Sequence, residues 1–461
     1  MKPNENAMVK SSTLWVVSLS VFMFSFMISS VNIALPAIQA EFSASAVLLS
    51  WVATAYLLAS GVVLVPAGKL GDIYGRKKIF TIGIVVFSVF TMVTAFAPSI
   101  YWLITFRVLQ GIGAAMSMAT SMAIIADVFP VNERGKAMGV TVACVYIGYS
   151  VGPFVGGWLT SLLGWRSIFF INAPIGILSL YLSVVKIRKE WADAENERFD
   201  MIGGVLYGGS LSSMMVGLTV LPGWTGIGLV ITGIIGFVIF AYYLTKTRFP
   251  ILDIRLFYSN RTFTFSSLAA LINYSATFAV AFLLSLYLQY VKGMTPQATG
   301  IILVSQPLVQ ALCSPMAGRL SDTTKPAVIA SSGMGLTALM LLSFAFLTAA
   351  TPIFIIVCEL MILGLGFALF SSPNMNAIMS SVEKNQYGIA SGTVATMRLI
   401  GQMLSMALVT LAFSLFIGDR EISLANHDTF LRSTNILFLV FTITCIVGIY
   451  FSLNRSKATQ Q

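Results

Sequence analysis

Apolar residues run along this chain in unbroken blocks of about 20, the length that crosses a bilayer core as an α-helix. Polar residues are confined to short intervals between the blocks. Fourteen blocks are read, at residues 14–37, 46–69, 79–98, 100–127, 137–161, 166–186, 201–221, 226–246, 262–290, 297–318, 328–348, 352–376, 389–416 and 433–454. The strands of a membrane barrel would instead alternate over about 10 residues. Hydrocarbon offers a backbone amide no partner outside its own segment, so the expected class is an all-α membrane protein. The first block is too long for a signal-peptide core and lacks a small-residue cleavage site, so it is expected to remain as an anchor.

Composition agrees with that pattern. Only 10% of the 461 residues are charged and 57% are hydrophobic, whereas a soluble domain carries about 25% charged residues to wet its surface. A net charge of +10 raises the question of nucleic acid, but the basic residues are scattered over short intervals and outline no groove. On the side of the N-terminus lie Arg76, Lys77, Lys78, Arg134, Lys136, Arg188, Lys189, Arg198, Lys246, Arg248, Arg255 and Arg261; the opposite side holds Arg166, Lys292, Arg420 and Arg432. This asymmetry predicts both termini in the cytoplasm of a plasma or inner membrane. The expected partners are the lipid bilayer and a small-molecule substrate, with no nucleic acid, and the chain is expected to act as a monomer.

Candidate chemistry is sparse. The four cysteines (Cys144, Cys313, Cys358, Cys445) fall inside apolar blocks without metal-ligand spacing, and the single histidine, His427, lies in a polar interval. No phosphate-binding loop appears, so ATP is not the expected energy source. An intramembrane enzyme would need paired carboxylates, a histidine cluster or a nucleophile–base pair, and the chain offers none of them. No cofactor, no metal and no catalytic residue are expected.

A degenerate repeat organises the chain. Gly68-Lys69-Leu70-Gly71-Asp72 follows the second block and Gly318-Arg319-Leu320-Ser321-Asp322 follows the tenth. Eight blocks separate the copies, which predicts two six-helix halves, residues 1–198 and 262–461, with two helices and a linker inserted at 199–261. Parallel repeats of this kind place a substrate site at mid-membrane between the halves.

The first copy continues through Gly75, Arg76, Lys77 and Lys78, a tight turn in which Gly71 and Gly75 permit close approach and Asp72 can cap or pair. Gly148, Gly152 and Gly156 recur about one turn apart in the fifth block, giving a smooth packing face. Within that face Pro153 removes a backbone bond and Gly157 follows. With Arg107-Val108-Leu109-Gln110-Gly111 in the fourth block and Trp165-Arg166-Ser167 opening the sixth, the chain resembles the fourteen-helix drug:proton antiporters of the major facilitator superfamily. The resemblance covers nearly the whole chain. It implies a bundle of two six-helix halves plus two central helices, and proton-coupled export of amphipathic drugs or metabolites by alternating access. It also implies a gating role for Gly68, Gly71, Asp72, Gly75 and Arg76, and an exporter motif at Gly148, Gly152, Pro153, Gly156 and Gly157.

Charge at hydrocarbon depth is costly and therefore informative. Three such residues are read: Arg107, Glu359 and Arg398. In the relatives the arginine matching Arg107 works near an acid in the first helix; the matching residue here is Met27. That departure motivates an alternative, a carrier of anionic or neutral metabolites with other coupling, in which Arg107 meets an anionic substrate. A sensor on the same scaffold is a further alternative. Glu359 lies about 10 Å below one face and Arg398 about 13 Å above the other, so two long side chains are expected to bridge. Glu359, Arg107 and Arg398 are thus the candidates for coupling, with the proton as the ion. Gly364 and Gly366, with Pro373 beyond, predict a softened gating helix. Asn32, Gln110, Tyr146, Asn273, Tyr274, Gln306 and Gln310 are the candidates to line the cavity.

Overall fold

The computed structural model describes residues 3–455 apart from 188, 195–196, 248–249, 252–254, 384–386, 419 and 423–425. Arg188, Arg248 and part of the 417–430 interval therefore lie outside the described residues, as do the side chains of Arg255 and Asp322. Fourteen helices are long and apolar enough to span a bilayer. They are α1 (Val9–Phe42), α2 (Ala46–Tyr74), α3 (Arg76–Thr94), α4 (Ile100–Val128), α5 (Glu133–Leu163), α6 (Ser167–Lys186) and α7 (Met201–Val220). The series continues with α8 (Trp224–Lys246), α9 (Arg261–Val291), α10 (Pro296–Ser321), α11 (Pro326–Phe344), α12 (Ile353–Ser380), α13 (Ala390–Phe416) and α14 (His427–Asn454). Each expected block became one helix, and the chain is a multi-pass membrane protein of the all-α class.

An even number of spans brings both termini to one end of the bundle, here termed the terminal end; the turns at 43–45, 164 and 292–295 mark the distal end. Helix pairing repeats with a shift of eight. The pairs α1–α5, α1–α6, α2–α4, α3–α4 and α3–α6 recur as α9–α13, α9–α14, α10–α12, α11–α12 and α11–α14. Across the two sets, α2 meets α13 and α5 meets α10, an exchange of equivalent helices. The helices α7 and α8 pair with each other, and α7 leans on both α2 and α13.

Close approach is bought with small side chains. In α1, Ser29 and Ser30 donate to the carbonyls of Gly148 and Gly152 in α5 at 3.2 and 3.1 Å. A Cβ at Gly152 would lie 1.8 Å from Ser29 Oγ, and one at Gly156 would lie 2.8 Å from Ser30 Cβ. The glycine face read in the sequence is therefore the seat of α1. Gly364 and Gly366 serve the same end: a Cβ there would strike the Gln306 carbonyl oxygen at 2.3 Å or Thr337 Oγ1 at 2.7 Å. The helix runs unbroken through both from Ile353 to Ser380, so the expected softening of α12 is corrected. Packing against α10 and α11 explains these glycines.

At the terminal end of the second helix set, Arg455 is 2% exposed. It donates to Asn374 Oδ1 at 2.7 Å and to the Pro326 carbonyl at 2.6 Å, tying α14 to α12 and α11.

Candidate functional site

Proline chemistry prepares the distal crossing. Pro36 has no N–H, so the Asn32 carbonyl one turn earlier loses its helical donor. A buried carbonyl needs another, and Ser285 Oγ of α9 supplies it at 2.8 Å. Gln289 Nε2 donates to the Ile33 carbonyl at 3.1 Å, and Tyr290 Oη to Gln39 Oε1 at 2.7 Å. Gln289 and Tyr290 stand on a wider π-helical turn, Tyr287–Val291, of a kind often found at functional positions. Gln39 Nε2 in turn reaches the Ile422 carbonyl at 3.1 Å, Ala46 N the Arg420 carbonyl at 3.0 Å, and Ser50 pairs with Thr410 at 2.9 Å. Residues 420–422, in the polar interval after α13, thus form a strap laid across the ends of α1 and α2.

Beside the strap, α5 crosses α10 at backbone distance. A Cβ at Gly157 would lie 2.4 Å from the Pro296 carbonyl oxygen, and one at Gly300 2.2 Å from that of Pro153. Gly157 therefore serves a different contact from Gly148, Gly152 and Gly156. Further toward the terminal end the halves meet more loosely, through Tyr146 Oη and Ser371 Oγ at 3.4 Å.

Below this closure lies a cavity of about 940 Å³, counted to its open mouth, walled by α1, α5, α9, α10, α12 and α13. Asn32, Tyr146, Tyr274, Gln306 and Gln310 line it, with Ser29, Tyr149, Thr277, Phe278, Phe367, Arg398 and Gln402. Gln306 Nε2 donates to Gln310 Oε1 at 3.1 Å, which orients both amides. Among the described residues, no Asp or Glu lines this cavity.

Two expected lining residues are elsewhere. Gln110 is fully buried within the first helix set, donating to Thr91 Oγ1 at 2.6 Å, and Asn273 is 1% exposed and lines no part of the cavity. Tyr149 and Gln402 were missed, although each follows a named residue by three or four positions, Tyr146 and Arg398, and so shares its helix face.

The two intramembrane arginines have different surroundings: Arg107 is satisfied inside its own helix set, and Arg398 faces the cleft. Arg107 is 1% exposed and does not reach the cavity. Its guanidinium donates to the Val52 carbonyl at 3.1 Å and to Gln110 Oε1 at 2.6 Å, and it stacks on Tyr56 at 4.3 Å. Contact of Arg107 with an anionic substrate is therefore corrected, and Met27 is a fully buried core residue. Arg398 is the cation on the cavity wall, beside Tyr149 and Tyr274.

The expected bridge from Arg398 to Glu359 does not form among the described residues. Glu359 accepts from Ser343 Oγ of α11, and its Oε2 is buried without a partner. Depth along the axis allowed the bridge, but the residues face different neighbours: Glu359 faces α11, within its own half, and Arg398 faces the cleft.

At the terminal end the turn after α2 gathers charge. Arg76 donates to both oxygens of Asp127, at 2.9 and 2.7 Å, and pairs with Asp72 at 2.7 Å and Asp193 at 2.8 Å. Gly75 adopts φ +112°, where an L side chain is strained, and a Cβ there would meet Glu190 at 2.5 Å. Glu190 caps α3 through the N–H groups of Lys77 and Lys78 at 2.8 and 3.2 Å. The Arg76 N–H bonds the Trp191 carbonyl, the Ala194 N–H bonds the Asp72 carbonyl, and Lys69 pairs with Glu197. A Cβ at Gly71 would press on Thr120 at 2.7 Å, whereas Gly68 has ordinary room. The segment leaving α6 is therefore buckled onto this turn, and Asp127 at the end of α4 is one of its anchors.

Two packed sets of six membrane helices around a polar-lined cleft define a solute transporter rather than an enzyme. The family model described as Major Facilitator Superfamily matches residues 17–406 and again 267–460. The chain belongs to that superfamily. It is 31% identical over 448 residues to the riboflavin transporter RibZ of Clostridioides difficile, covering 97% of this chain and 98% of that one. It is 30% identical over 403 residues to the multidrug resistance protein Stp of Mycobacterium tuberculosis, covering 86% and 74%. Among solved structures, a D-xylose-proton symporter superposes with TM-score 0.68 at 12% identity over 96% of this chain and 97% of that one. A bacterial homologue of the human lysosomal transporter Spinster, inward-facing and unoccupied, gives 0.65 at 18% over 99% and 98%. These structural likenesses concern the fold.

Proposed function

We propose that this chain is a secondary active transporter that exports small amphipathic organic solutes by alternating access, with the proton as coupling ion. Residues 1–198 and 262–461 are the two rocking bodies, and both termini lie in the cytoplasm, as the basic residues of the terminal end favour. The observation that carries the reading is the cavity itself. It lies between the two sets, its distal end is stitched by Ser285, Gln289, Tyr290 and the 420–422 strap, and its mid-membrane contact at Tyr146 is loose. In this reading the conformation is open toward the cytoplasm. The names of the relatives, one for riboflavin and one for multidrug resistance, support solutes of drug or cofactor size.

Glu359 is the proposed proton site. It is a buried carboxyl with a hydroxyl donor and no cation within 4.0 Å among the described residues. Its charge state should therefore depend on how far water reaches it as the bodies rock. The turn at Gly68–Arg76 gates the terminal end.

Reconstituted vesicles test this. Glu359→Gln should abolish uphill transport driven by a pH gradient while leaving solute exchange at equal pH intact. Undiminished gradient-driven transport in that variant overturns the assignment.

A further inference from the structure

The cavity wall carries more chemical information than its size. Its only formal charge among the described residues is Arg398, and no acid stands opposite it. Among the described residues, no carboxylate lies within 4.0 Å of that guanidinium, which sits instead beside the hydroxyls of Tyr149 and Tyr274. Amides share the wall with it: Gln402 one turn along α13, and Gln306 and Gln310 on α10. Five aromatic rings, from Tyr146, Tyr149, Tyr274, Phe278 and Phe367, complete the wall.

Two prolines on the wall alter the backbone beside it. Pro153 and Pro307 have no N–H to give to the carbonyls of Tyr149 and Leu303, one turn earlier in their helices. All four residues line the cavity. Carbonyls freed in this way favour a ligand that brings N–H donors to them. The guanidinium and the amide N–H groups favour a ligand that brings acceptors.

We propose that this cavity takes planar heteroaromatic solutes that are uncharged or anionic and bear both carbonyl and N–H groups on their edge, and that it turns organic cations away. The proposal rests on the transport reading above and narrows it. Stacking between tyrosines holds the ring plane. Arg398 holds a carbonyl or an anionic oxygen through its planar fork. A cation finds like charge at Arg398 and no carboxylate to replace its lost water.

Three fused-ring dyes decide the charge preference with the purified full-length protein: fluorescein as anion, lumiflavin as neutral ring with the carbonyl and N–H edge, and ethidium as cation. Binding is read by ligand fluorescence without any gradient. Like charges about 6 Å apart at an effective dielectric of about 20 predict at least about tenfold weaker binding of ethidium than of fluorescein. Arg398→Gln should bring the two within about threefold of each other, Arg398→Lys should restore the preference for fluorescein, and lumiflavin should change little in either.

Ethidium binding as tightly as fluorescein in the unmodified protein overturns the inference, as does a preference untouched by Arg398→Gln. The unmodified ranking decides alone if that variant misfolds. If the ranking holds but no dye crosses vesicle membranes, the cavity chemistry stands and the transport reading falls. If dyes cross and cations lead, this inference alone falls.

Discussion

Gly157 and Pro296 touch where the two helix sets cross at the distal end, with no room between them for even a methyl group. Under the alternating-access proposal this contact is made only while the distal end is shut, so bulk there should act on one conformation.

Gly157→Leu should therefore disfavour distal closure. Overpacking typically costs about 1–3 kcal/mol, and about 1.4 kcal/mol is a tenfold shift in population. The variant should fold, since the opposite conformation relieves the clash, but its solute flux should fall by about tenfold. Labelling of a cysteine placed at Asn32 from the distal side should rise in parallel. Flux equal to that of the unmodified protein would show that the halves do not close through this crossing.

Arg76 holds three carboxylates that would otherwise face one another. Asp127 is the least exposed, with 18% of its side chain open against 38% for Asp72 and 69% for Asp193. Solvent screens the more open pairs. Asp127→Asn should thus cost more stability than Asp193→Asn, and Arg76→Ala the most, about 1.5–3 kcal/mol from charged hydrogen bonds lost. Thermal unfolding in detergent gives the order directly.

Arg107 is enclosed by Val52, Tyr56 and Gln110 and does not open onto the cavity. Arg107→Met should leave solute affinity within about twofold, while Gln110 Oε1, left buried without its donor, costs about 1–3 kcal/mol of stability. Binding titrations alongside unfolding curves separate the two effects. A tenfold loss of affinity without loss of stability would place Arg107 at the solute after all.

Much of this architecture was legible because hydrophobic length and small-residue spacing are local properties. The spans, the Gly148–Gly156 face and five cavity residues, among them Tyr146 and Gln306, follow from counting along one helix. Arg107 and Arg398 show where counting stops. Their depth follows from the rise per residue, yet which of them faces the cleft depends on how neighbouring helices are rotated, and no single helix records that. The same holds for Glu359, whose depth suited Arg398 but whose direction suits Ser343. Polar intervals pose a different difficulty. The contacts of Glu190, Asp193 and Arg420 lay beyond the sequence, because a polar composition specifies exposure to water and says nothing of which distant turn a residue reaches.

The helical pair α7–α8 leaves the bundle lopsided. Tyr207 Oη bonds the Gly61 carbonyl at 3.0 Å, and the same glycine receives Met403 of the other set, while Ser414 Oγ reaches the Leu221 carbonyl at 3.4 Å. One flank, where α2 meets α13, is sheathed in protein; the other, where α5 meets α10, has no such cover from α7 and α8. The two seams between the helix sets therefore meet the bilayer unequally: α7 stands between lipid and the α2–α13 seam, while the α5–α10 seam lacks that shield.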